Sequence, residues 1–205
     1  MGAHAKTTDR DICQAVRQLL ESRGEAALSM QAIAAAVGIR APSLYKRFVN
    51  RTDLLAAAAQ DALRELAELL RNSAPASDPA SPAKTYESLE RMAHVYRKFA
   101  KKNPRTYGLI FSEALAARED LLAARQASAE PLLTLLAQQV GQEEALSAAR
   151  LLVSYLHGFL SMELARTFRF GGSVNEAFEY GLGKIIQSLV REQSRQAGAN
   201  SEVLV

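Results

Sequence analysis

Ser29-Met-Gln-Ala-Ile-Ala-Ala-Ala-Val-Gly38-Ile-Arg-Ala-Pro-Ser-Leu-Tyr45-Lys-Arg-Phe48-Val-Asn-Arg-Thr-Asp-Leu-Leu55 is the stretch on which the fold turns. Met30, Ile33, Ala34 and Val37 recur at helical spacing, so one face of a short helix is apolar. Gly38 stops that helix, because glycine accepts the left-handed backbone of a tight turn between helices. Pro42 suits the first turn of a second helix, where its missing N–H has no intrahelical partner. Leu44 and Phe48 point that helix inward, leaving Ser43, Lys46, Arg47 and Tyr45 off the buried face. Two short helices joined by a glycine turn, the second polar and basic, describe a helix-turn-helix, and DNA binding is the first function to consider.

Charge supports that reading. Residues 1–51 carry eight Lys/Arg against four Asp/Glu, whereas the whole 205-residue chain carries 25 against 22. The positive excess therefore sits on the third of the chain that holds the motif, where phosphate would be met. The lone cysteine, Cys13, has no partner for an intrachain disulfide and no neighbours at metal spacing, and core packing is its expected role. No apolar run is long enough to span a membrane and the N-terminus lacks a secretory hydrophobic segment, so a cytoplasmic protein is expected.

Outward from the motif the chain reads as all-α, about nine helices. The first runs from Asp9 to Arg23, capped by Thr7 or Thr8 and ended by Gly24, with Ile12, Ala15, Val16, Leu19 and Leu20 as its stripe. Ser29 caps the second. Asn50 and Asp53 form a capping-box pattern for a long fourth helix from Arg51 to Asn72, which connects the N-terminal three-helix unit to the rest. Three prolines between Ser73 and Ala83 predict a loop; Ser81-Pro82 opens a fifth helix, and a sixth follows Pro104. A seventh is expected from Glu119 to Val140, kinked or divided at Pro131, and an eighth from Glu143 to the Arg166–Arg169 region. Ser173 and Glu176 then cap a ninth running to Gln193, with a frayed tail after Gly198. The two expected domains are 1–52 and 53–205.

Residues 8–55 resemble the DNA-binding domain of the TetR family of bacterial regulators. The resemblance rests on Ile12-x-x-Ala15, Ile33-Ala34-x-x-x-Gly38, Leu44-Tyr45-x-x-Phe48 and Arg51-x-Asp53-Leu54-Leu55. Farther on, Tyr96-Arg-Lys-Phe99, Asn103-Pro104-x-x-Tyr107 and Tyr155-Leu-His157-Gly158 resemble the subgroup whose regulatory domain is named for a Trp-His-Gly motif; Leu156 stands in the place of its Trp.

The resemblance implies a homodimeric repressor that binds a palindromic operator in double-stranded DNA and is released by a small, mostly apolar ligand. It implies base reading by Arg40, Ala41 and Ser43, with phosphate grip from Tyr45, Lys46, Arg47 and Arg51. Ser29 and Gln31 are candidates for backbone contact, though capping alone explains Ser29 equally well. Met92, Tyr96, Phe99, Tyr107, Phe111, His157 and Met162 are candidate pocket residues, each also suited to plain core packing. Ser154, Gly158, Ser161 and Ala165 form a small-residue stripe, and Phe178, Gly181, Leu182, Ile185 and Leu189 a facing one. Together they make a candidate dimer interface. No phosphate loop, nucleophile motif or metal-spaced cluster points to an enzyme, and no cofactor or metal is expected. The alternative is a DNA-binding regulator without a small ligand, controlled by a protein partner.

Overall fold

The computed structural model describes residues 7–73 and 81–202. Most of the proline-rich segment expected as a loop lies outside the described residues. Helices α1 (Asp9–Arg23), α2 (Met30–Ala36), α3 (Ala41–Tyr45), α4 (Arg51–Ser73), α5 (Pro82–Lys102) and α6 (Pro104–Ile110) follow in order. They are succeeded by α7 (Glu113–Ala116), α8 (Leu122–Leu164) and α9 (Val174–Glu202), and no strand occurs among the described residues.

The helix ends obey local chemistry. Thr8 caps α1 in a full capping box: its hydroxyl accepts the Asp11 N–H at 3.1 Å, while the Asp11 carboxylate accepts the Thr8 N–H at 2.8 Å. At α4 the Asn50 side chain accepts the Asp53 N–H, and the carboxylate of Asp53 is taken by Arg118 at 2.8 Å. The expected seventh and eighth helices are both present and carry the single label α8: Gly141, in a non-helical conformation (φ 83°, ψ 163°), breaks the run between them where the sequence suggested a gap. Its start shifts from Glu119 to Leu122 because Glu119–Leu121 forms a tighter 3-10 turn. It ends at Leu164, before Arg166 adopts φ 56° and Thr167 N–H reaches back to the Met162 carbonyl. Helix α9 runs on past Gly198, since one helical glycine costs only about 1 kcal/mol.

Packing divides the chain into two compact units. One comprises Met1–Leu66 with Lys102–Ala127; the other comprises Ala67–Lys101 with Ser128–Val205. The start of α4 and the residues from 102 to 127 thus pack with the segment expected to bind DNA.

In the first unit Ile12, Val16, Ile33, Leu44 and Leu54 are completely buried, each such side chain contributing about 1.5–3 kcal/mol. Arg17 on α1 pairs with Asp61 and Glu65 on α4. Glu21 accepts the N–H of Thr106 at 2.7 Å, and Arg105 donates to the Leu20 and Glu21 carbonyls, so α6 is fastened to the end of α1.

In the second unit Arg97 of α5 makes a two-pronged ion pair with Glu163 of α8, at 2.9 and 2.7 Å, and a further bond to Asn175 of α9. Its guanidinium lies 4.2 Å from the ring centre of Phe178. Burial works against the charge on Glu163, yet hydrogen bonds from Arg97 and Lys101 hold its pKa below the usual carboxylate value.

Two outcomes follow from this packing. Burial, with Asp61 nearby, pushes the Cys13 thiol up to about 11. Thiolate is then about one part in a thousand at pH 8, so a thiol reagent should label native Cys13 far more slowly than the unfolded chain. At the α8–α9 seam the Tyr155 hydroxyl donates to the Phe178 carbonyl, and a Cβ on Gly181 would lie 2.7 Å from two Tyr155 ring carbons. Gly181→Ala should cost about 1–3 kcal/mol by overpacking. Measured by chemical denaturation, Gly181→Ala combined with Tyr155→Leu should cost less than the sum of the two changes.

Candidate nucleic-acid interface

The turn between α2 and α3 is set by Gly38 at φ 70°, with Ile39 N–H reaching the Ala34 carbonyl at 2.9 Å. Helix α3 begins at Ala41 after an extended Arg40, with Pro42 in its first turn and no side chain on the cap. Leu44 and Phe48 anchor it in the core. That anchoring turns Arg40, Ser43, Tyr45, Lys46 and Arg47 outward, all exposed, with Ala41 half-buried among them. Gln31 and Ser29 are exposed at the start of α2, where the Ser29 hydroxyl accepts the Ala32 N–H at 3.1 Å.

The basic residues of this surface are of two kinds. Arg40 and Lys46 make no ion pair or hydrogen bond with any described residue. Arg47 and Arg51, expected among the phosphate-gripping residues, are held within the unit. Arg47 pairs with Asp9 at 2.6 Å and donates to the Thr7 carbonyl at 2.8 Å, tying α3 to the start of α1. Arg51 donates to the carbonyls of Leu28 and Glu25 at 2.8 and 2.9 Å and pairs with the Glu25 carboxylate. It closes the loop before α2 onto the start of α4. Both side chains fall outside the apolar stripes, so periodicity gave no sign of these internal roles.

The other expected sites divide unevenly. Met92, Tyr96 and Phe99 are buried on α5, and His157 is half-buried on α8, its pKa lowered by burial. Tyr107, also buried, belongs to the first unit and lies with its ring tilted at 54° and 5.0 Å from that of Phe111, which is exposed. Met162 is exposed as well, so neither Phe111 nor Met162 lines an interior. Of the expected dimer stripe, Ser154, Gly158, Ser161 and Ala165 lie at the surface. Phe178, Leu182 and Leu189 do not: they are buried against their own chain, and Gly181 and Ile185 are half-buried beside them. A stripe on α9 reports that something covers it, and here the cover is the chain's own α5 and α8, through Arg97 and Tyr155. Arg97 itself was missed. The available signal was a charge recurring with Leu89 and Ala93 along the buried side of an amphipathic helix.

The chain matches two family models. Residues 12–58 match that of bacterial regulatory proteins of the tetR family, and residues 89–185 match that of the tetracyclin repressor-like C-terminal domain. The chain belongs to the TetR family. It is a DNA-binding transcriptional regulator, of a family whose members are not enzymes. A curated relative, the uncharacterized HTH-type transcriptional regulator YobS of Bacillus subtilis (strain 168), is 24% identical over 183 residues, 89% of this chain and 93% of YobS. Among solved structures, BioQ with its double-stranded DNA operator superposes with a TM-score of 0.65 at 21% identity, over 90% of this chain and 99% of that one. TetR-Q116A from Acinetobacter baumannii AYE, in complex with minocycline, gives 0.66 at 21% identity over 91% and 98%. At these identities the likeness to both structures is one of fold. No helix among the described residues is long and apolar enough to cross a membrane.

The two kinds of basic residue separate experimentally. Lys46→Ala should leave thermal stability within about 0.5 kcal/mol of the parent, as an exposed unpaired side chain should. Arg51→Ala removes several hydrogen bonds at a half-buried site and should cost about 1–3 kcal/mol. Denaturation curves of the two variants check the contrast.

Proposed function

We propose that this TetR-family regulator is a repressor acting as a homodimer on a palindromic operator, released by a small, mostly apolar ligand. The observation that carries the DNA side is α3 itself, anchored by Leu44 and Phe48 with Arg40, Ser43, Tyr45 and Lys46 turned to solvent. Arg40 and Ser43, with Ala41 beside them, face base edges, where an arginine pairs two-pronged with guanine. Tyr45 and Lys46 grip phosphate, supported by Ser29 and Gln31. Arg47 and Arg51 hold the head in shape and add positive potential near the backbone.

The dimer forms through the outward side of α8 and α9. Leu151, Met162 and Tyr180 are 48%, 47% and 71% exposed, and Ser154, Gly158 and Ser161 leave room between them for close helix approach. Two reading heads on one dimer require two half-sites, which is the physical reason for a palindromic operator. The ligand side rests on the buried Met92, Tyr96 and Phe99 with His157 in the second unit, and on the minocycline complex of a protein with this fold. Such a protein works in the cytoplasm, where the DNA is.

Gel-shift titration against the DNA upstream of its own gene tests the reading. The dimer should bind with a steep salt dependence, and Lys46→Ala should lower the slope by about 0.9 for each phosphate it leaves unneutralised. Arg40→Ala should cost about 1–3 kcal/mol on the preferred sequence and less on others. Affinity unchanged by either substitution would refute the assignment of α3. Gly158→Arg should yield a monomer by size-exclusion chromatography; a dimer that persists would refute the proposed interface.

A further inference from the structure

One cluster on the second unit takes no part in DNA binding. Glu90 and His94 lie one turn apart on α5, and Glu179 faces them from α9; their ligand atoms all lie within 4.8 Å of one another. We infer that Glu90, His94 and Glu179 form a binding site for a divalent transition-metal ion of the zinc class.

Charge is the first argument. Two carboxylates converge here, and Glu90, although half-buried, has no hydrogen-bond or ion-pair partner among the described residues. Glu179 has only His94, at 3.4 Å, which is long for a hydrogen bond. The arginines close by on α5 are engaged elsewhere, Arg97 on Glu163 and Asn175 and Arg91 on Glu87 and Ser88, and Lys98, one turn beyond His94, pairs with neither carboxylate. Neither carboxylate is therefore paired with a lysine or arginine among the described residues.

Donor chemistry is the second. One imidazole nitrogen and two carboxylate oxygens form a three-ligand set that leaves a fourth position for water. The imidazole favours zinc, cobalt or nickel over calcium and magnesium, which take oxygen donors. Zinc bonds of about 2.0–2.2 Å bring tetrahedral donors to about 3.3 Å apart. His94 and Glu179 already stand at about that spacing, 3.4 Å, and the wider separations must close by at most roughly 1.5 Å, within reach of glutamate rotamers.

Preorganisation is the third. The His94 ring lies 5.9 Å from that of the fully buried Phe178, at 56°, so the core braces the imidazole. A bound ion would join α5 to α9 one turn along from the Arg97–Asn175 bond, giving the same seam a second fastening.

The test uses the full-length protein as purified, treated with chelator and titrated calorimetrically with zinc chloride. Saturable binding of about one zinc per chain is expected, with a rise in melting temperature and a visible absorption band when cobalt is substituted. His94→Ala and Glu179→Gln should weaken zinc binding at least tenfold while leaving the circular dichroism spectrum unchanged, and His4→Ala should bind as the parent does. Glu90→Gln adds a readout that survives without metal: relief of carboxylate repulsion should hold or raise the melting temperature of the metal-free protein while abolishing its rise with zinc. No saturable binding, affinities in His94→Ala and Glu179→Gln within twofold of the parent, or equal affinity for magnesium would each overturn the proposal.

Discussion

The buried ion pair between Arg97 and Glu163 is the constraint around which the second unit is arranged. Three helices meet at one guanidinium: α5 supplies it, α8 supplies the carboxylate, and α9 supplies Asn175 and the face of Phe178. Arg97 depends on the pair most, since a buried ion stripped of its partner costs about 3–5 kcal/mol, whereas Glu163 has a second cation in Lys101 at 2.8 Å. Apolar packing would permit several rotations of these helices about their axes, but a two-pronged ion pair permits few. The rotation of α9 then decides which residues face the core and which face outward. It turns Phe178, Leu182 and Leu189 inward and leaves Tyr180 and Lys184 at the surface.

The first unit solves a different problem. A short recognition helix of five residues cannot hold itself together and must be supported by what surrounds it. Leu44 and Phe48 supply the apolar support, while Arg47 and Arg51 supply polar ties to α1 and to the loop before α2. The same unit extends to the residues from 102 to 127, where Glu21 receives the Thr106 N–H and Arg118 bridges Asp53 and Asp120. Helix α6 is thus fastened to α1, and the segment after α7 to the start of α4. A displacement of α6 would be felt at the base of the reading head through direct hydrogen bonds.

Legibility followed locality. The helix-turn-helix could be read because each of its features is local: Met30, Ile33 and Ala34 on one face, Gly38 at positive φ, Pro42 in a first turn, Leu44 four residues from Phe48. Helix caps at Thr8, Ser29 and Asn50 were legible for the same reason, since a cap and its N–H lie three residues apart. The sorting of the arginines was not. Arg40, Arg47 and Arg51 look alike along the chain, and their differences arise from Asp9, Glu25 and Leu28, residues brought near only by folding.

By itself, then, the sequence determined the all-α class, the reading head and the exposed surface of α3, because helical periodicity and capping act within a few residues. Only the tertiary structure decided which partner covers each apolar stripe. Phe178, Leu182 and Leu189 could equally have met a second chain, and it is Arg97, Tyr155 and the turn of α9 that give them to their own. The convergence of Glu90 and His94 with Glu179 is of the same kind. Their separation along the chain conceals a distance that depends wholly on how two helices pack.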